Sequence, residues 1–123
     1  MLVKYEDRVN VPESVEDSVR LLGAAAAISI ESPKNSGIKA TYIGTGIVDL
    51  TWLDDPGVFI GLVATFSATA PAAVKGYTLT YGDFNYATRT LRLNINNSLF
   101  ALADLAAAQR VFIKAQFSRS GLT

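Results

Sequence analysis

Val58-Phe59-Ile60-Gly61-Leu62-Val63-Ala64-Thr65-Phe66-Ser67-Ala68-Thr69 is the stretch that decides the fold. It holds no charge and no proline, and it is rich in β-branched and aromatic residues, a composition that suits a pleated strand. Asp54-Asp55-Pro56-Gly57 precedes it as a turn, with proline presetting φ and glycine accepting the left-handed position. With a period of two, Val58, Ile60, Leu62, Ala64 and Phe66 share one face, and Phe59, Gly61 and Val63 share the other. Apolar residues on both faces predict a central strand covered on each side.

Outward from this segment the β pattern continues. Ile38 to Ile43 alternates, Gly44-Thr45-Gly46 suggests a bulge or tight bend, and Ile47 to Leu53 follows, with Val48, Leu50 and Trp52 on one face. On the other side, Tyr77, Leu79 and Tyr81 alternate with Thr78 and Thr80, and Gly82-Asp83-Phe84-Asn85 marks a hairpin. Arg89 to Asn96 points Leu91, Leu93 and Ile95 inward, and Arg110 to Ser118 does the same with Val111, Ile113, Ala115 and Phe117. Ile28-Ser29-Ile30 is a further short strand before the loop Ser32–Gly37.

Two segments carry helical signals. Pro12 opens the first, Glu13, Glu16 and Asp17 complement its dipole, and Val15, Val19 and Leu22 recur at helical spacing before Gly23. The second is Leu99 to Gln109, rich in Ala and Leu and preceded by the capping pair Asn97-Ser98. Strand count and the lack of long crossover helices predict a mainly β protein, an antiparallel β-sandwich or jelly-roll-like domain. An extended N-terminal arm with a short helix over 1–22 would precede a β domain over 23–123.

A chain of 123 residues fits one domain and can bury roughly two-thirds of its unfolded surface. Half of its residues are apolar, which argues against disorder. The 11 basic and 11 acidic side chains balance, so the basic excess of a nucleic-acid binder is missing. Residues 1–55 nonetheless hold five cations against nine anions, whereas 56–123 hold six cations against two anions. Either intramolecular pairing absorbs this split, or an acidic arm meets the basic face of a neighbouring copy. No apolar run approaches the roughly 18 residues needed to cross a bilayer, and Met1 to Asp7 lacks the apolar core of a signal peptide.

Histidine and cysteine are both absent, so neither triad chemistry nor the usual zinc sites can be assembled. Asp54 and Asp55 fit a turn better than a calcium loop. Asp49 on a polar strand face lacks an evident carboxylate partner. Gly44-Thr45-Gly46 lacks the following helix and the lysine of a phosphate loop. The expectation is a protein without enzymatic activity and without a cofactor. The aromatic group Tyr77, Tyr81, Phe84 and Tyr86, with Trp52 elsewhere, has two readings, core or sugar platform.

In size, in its Ala, Thr and Asn content and in pairing an arm with a β domain, the chain resembles small virion proteins of tailed bacteriophages. The segments Val-Phe-Ile-Gly-Leu-Val-Ala-Thr-Phe and Arg-Val-Phe-Ile-Lys-Ala-Gln-Phe carry that likeness, which is closest to decoration (cement) proteins. The resemblance implies a homo-oligomer, dimer or trimer, that binds a major capsid or other virion protein and stabilises the shell at the capsid surface. Before assembly such a protein would be soluble in the host cytoplasm. Contacts are then expected at Tyr5, Arg8, Val11 and Val15 of the arm and on a basic outer face with Arg92 and Lys114. The alternatives are a fibre-base or receptor module that binds glycan near Tyr77–Tyr86, and a self-assembling coat protein.

Overall fold

The computed structural model describes residues 14–24, 27–33 and 37–118. They form two four-stranded antiparallel sheets. The first contains β1 (Ser14–Ala24), β2 (Ala27–Ser32), β5 (Val58–Ala68) and β8 (Gln109–Ser118), in the order β2-β1-β8-β5. The second contains β3 (Ile38–Gly44), β4 (Ile47–Trp52), β6 (Thr78–Tyr81) and β7 (Thr90–Asn96), in the order β3-β4-β7-β6.

Alternation explains the packing. Val19 and Leu21 of β1 and Val111, Ile113, Ala115 and Phe117 of β8 meet Val48, Leu50, Trp52, Leu91, Leu93 and Ile95 of the opposite sheet in one buried cluster. Each fully buried Leu, Val or Phe of that cluster contributes roughly 1.5–3 kcal/mol. Trp52 sits at one end, edge-on to Phe117 at 5.2 Å and to Phe84 at 5.6 Å, and its Nε1–H donates to Asp17 at 2.9 Å.

Several expectations are corrected. The described part of the expected first helix, from Ser14 on, is instead the strand β1, paired with both β2 and β8. Val15, Asp17, Val19 and Leu21 lie opposite Phe117, Ala115, Ile113 and Val111, a period of two that outweighs the i, i+4 coincidence of Val15 and Val19. Residues 14–22 thus belong to the sandwich, and the boundary expected after residue 22 falls inside β1. The rest of the arm, 1–13, lies outside the described residues.

Leu99 to Gln109 is also not helical. The Asn97 side chain caps a tight turn instead, accepting from Leu99 N–H at 2.8 Å and Ala101 N–H at 3.2 Å, while Phe100 takes a φ of 62°. The chain then crosses the sandwich end, where Leu105 enters the core and is 2% exposed. Helix propensity loses here to one buried leucine and to the hydrogen bonds of Asp104.

The jelly-roll form is replaced as well. A jelly roll winds one long hairpin, pairing the first strand with the eighth, the second with the seventh and so inward. Here β1 pairs with β8, but β2 pairs with β1 and β7 lies between β4 and β6. Finally, β5 is an edge strand, not a central one. A bulge between Phe59 and Gly61 shifts its phase, so Phe59, Leu62, Ala64 and Phe66 pack against the core while Ile60 and Val63 face out.

Candidate functional site

The connection between β6 and β7 builds the most elaborate surface. Asn85 and Thr90 exchange backbone hydrogen bonds at 2.9 and 3.1 Å, and Asn85 Oδ1 accepts from Ala87 and Thr88 N–H. Arg89 has a φ of 56°, and Trp52 holds it there: Trp52 N–H donates to Arg89 O, and Arg89 Nε donates back to Trp52 O at 3.0 Å. Phe84 turns inward and is buried, stacked with Phe59 at 6.0 Å and edge-on to Tyr86 at 4.9 Å. The Tyr86 hydroxyl accepts the Phe59 N–H at 3.0 Å, which ties the loop to the bulge of β5.

Two of the concavities that flank this loop adjoin one another. One, about 460 Å³, is lined by Phe59, Tyr81, Gly82, Asp83, Phe84 and Tyr86. The other, about 440 Å³, is polar and lined by Asp49, Asp83, Asn85, Thr88, Thr90 and Arg92. Asp83 borders both. Arg92 holds Asp49 bidentately at 2.8 and 3.1 Å, and this hydrogen bonding, with the carboxylate charge beside it, raises the guanidinium pKa further. Of the expected aromatic group, Tyr81, Phe84 and Tyr86 gather here, with Trp52 beneath them. Tyr77 packs instead on Phe66, at 5.8 Å.

No protein-family model, curated protein or solved structure matches this chain. What the surface can do therefore rests on its chemistry alone.

The expected contact residues do not form one patch. Tyr5, Arg8 and Val11 lie outside the described residues. Val15 is half-buried in β1 opposite Phe117. Arg92 lies on the outer face of the second sheet and Lys114 on that of the first, so the two cations face opposite ways. Part of the charge split is met among the described residues. Asp49 pairs with Arg92, Glu31 with Arg110 at 2.7 Å and Glu16 with Lys114 at 3.8 Å, each an acid of the first half beside a base of the second. Strand pairing between halves makes this possible, because β4 abuts β7 and β1 abuts β8.

A second surface feature went unread as a site because β5 looked central. Sheet edges are usually protected by charge, proline, shortness or cover. Strand β6 is four residues long, β3 carries Lys39 and lies beside β2, and β2 carries Glu31 and runs into Pro33. Strand β5 is eleven residues long with no charge and no proline, and its cover is partial: Tyr86 takes the Phe59 N–H and the Pro71–Val74 turn packs beside the strand. Ile60 is 54% and Val63 64% exposed on it, and Phe112 is 38% exposed on the neighbouring strand. A Cβ on Gly61 would meet nothing within 4 Å among the described residues, and the glycine stands at the bulge of the strand.

Proposed function

We propose that this protein is a structural subunit whose role is to pack against other protein, and that its first partner is a second copy joined along β5. The carrying observation is the uncharged, eleven-residue edge of β5 with Ile60 and Val63 turned to solvent. Unpaired N–H and C=O groups along such an edge are a template for another strand. A second copy suits it best because a two-fold contact is self-complementary, and an uncharged strand meets itself without like-charge opposition. Val63 is the middle residue of β5, so antiparallel pairing about a central two-fold sets Val63 beside its counterpart.

A dimer of this kind accords with the resemblance to decoration proteins, whose role on a capsid surface is mechanical. In this reading the dimer binds a major capsid or other virion protein by modest apolar contacts repeated over many copies.

Light scattering across a range of concentrations tests the proposal. The intact protein is expected to have dimer mass, and Val63→Lys to have monomer mass with an unchanged circular dichroism spectrum. A chain starting at Pro12 is expected to stay dimeric, because β5 and not the arm makes the contact. Monomer mass for the intact protein, or a persistent dimer in Val63→Lys, overturns the reading.

A further inference from the structure

We propose that the cleft between Tyr81 and Tyr86 is a binding site for a neutral oligosaccharide, a function separate from the β5 contact. The apolar faces and hydroxyl edges of a sugar need aromatic surface beside polar groups. Here Tyr81 and Tyr86 are 41% and 54% exposed, and both line the 460 Å³ concavity. Rings with one apolar body and one polar tip suit such amphipathic ligands. The polar concavity adjoins it at Asp83, so aromatic contact and hydrogen bonding are available on one continuous surface. Its size lies within the range of small-ligand sites.

The hydrogen-bonding groups are suitably free. The Asp83 carboxylate has no partner among the described residues and can accept from hydroxyls. Asn85 uses its side-chain oxygen on the loop, which leaves its Nδ2–H₂ as a donor. Arg92 and Asp49 neutralise one another, so Asp83 is the unbalanced charge of the surface and disfavours anionic ligands. The loop is preorganised by its backbone bonds and by the Tyr86–Phe59 tie, which lowers the ordering cost of binding.

Gly82 bears on the width of the cleft. Its φ is not left-handed, and a Cβ there would meet nothing within 4 Å. Neither backbone strain nor packing within the fold demands glycine, yet the residue sits in the wall of the cleft and keeps it open.

The test is a titration of ¹⁵N-labelled protein with maltohexaose, cellohexaose and hexa-N-acetylchitohexaose, with a heparin hexasaccharide as the anionic counterpart. At least one neutral ligand is expected to give saturable shifts at Gly82, Asp83, Tyr86 and Arg92, and heparin none. Gly82→Val, which fills the cleft, and Tyr81→Ala are expected to weaken binding by about tenfold or more. Absence of saturable shifts with every neutral ligand overturns the proposal. So does binding of heparin alone, or unchanged affinity in a Gly82→Val protein whose spectrum otherwise matches that of the parent.

Discussion

The phenol of Tyr42 on β3 donates to the carboxylate of Asp104 at 2.9 Å, across 62 residues of chain, and the same carboxylate accepts the Gly46 N–H at 2.8 Å. This one side chain fastens the 97–108 connection to the β3–β4 turn. Gly46 must be glycine for it: its φ is +70°, and a Cβ would lie 2.7 Å from Ala103 N and 2.8 Å from Ile95 O.

The contact carries a pH signature. Partial desolvation raises the Tyr42 pKa above its ordinary value near 10, and the Asp104 hydrogen bond and charge add to the rise. A raised phenol pKa means that stability is intact below pH 10 and falls as pH climbs through the folded-state value, because the unfolded chain ionises first. Urea midpoints are therefore expected to drop above pH 10, and Tyr42→Phe to flatten that drop while lowering stability at neutral pH.

Leu105 and Gly23 are matched in size. A Cβ on Gly23 would collide with the Leu105 side chain and backbone. Gly23→Ala is expected to cost about 1–3 kcal/mol through overpacking, and Leu105→Ala about 2–5 kcal/mol through the cavity it leaves. Leu105→Ala keeps the Cβ and the carbonyl group that the added methyl would strike, so it does not relieve the clash, and the double variant is expected to be at least as unstable as either single one. Urea denaturation of the four proteins measures this, and a double variant more stable than Gly23→Ala would contradict it.

Phe84 anchors the loop that shapes the cleft. Phe84→Ala is expected to destabilise by about 3–5 kcal/mol, as it removes ring contacts to Trp52, Phe59, Phe117 and Tyr86 together. Tyr86→Phe removes only the acceptor of the Phe59 N–H and should cost about 1 kcal/mol. Thermal melts should rank them in that order.

Salt separates two accounts of association. If two copies join along β5 as proposed, the contact is apolar and backbone-based, because that strand carries no charge. Raising ionic strength to about 1 M, where the Debye length is about 3 Å, should leave the dimer mass unchanged. Dissociation in salt would show that charges between copies hold it together.

Alternation along the chain was enough to place the inward side chains of β4, β7 and β8. Leu91, Leu93 and Ile95, Val48, Leu50 and Trp52, and Val111, Ile113, Ala115 and Phe117 are all buried as their alternation predicts, because a period of two depends only on local geometry. The aromatic character of the 81–86 region was legible for the same reason. Which strand lies beside which was decided in three dimensions. Val15 and Val19 satisfy both helical and strand periods, and only pairing with Phe117 and Ile113 resolves them. The Ala- and Leu-rich run 99–109 does not follow its helical propensity, because Leu105 finds a place in the core and Asp104 finds Tyr42. The two apolar faces of β5 look the same in a central strand and in an edge strand with one face exposed, because composition records that a face is apolar and not what covers it.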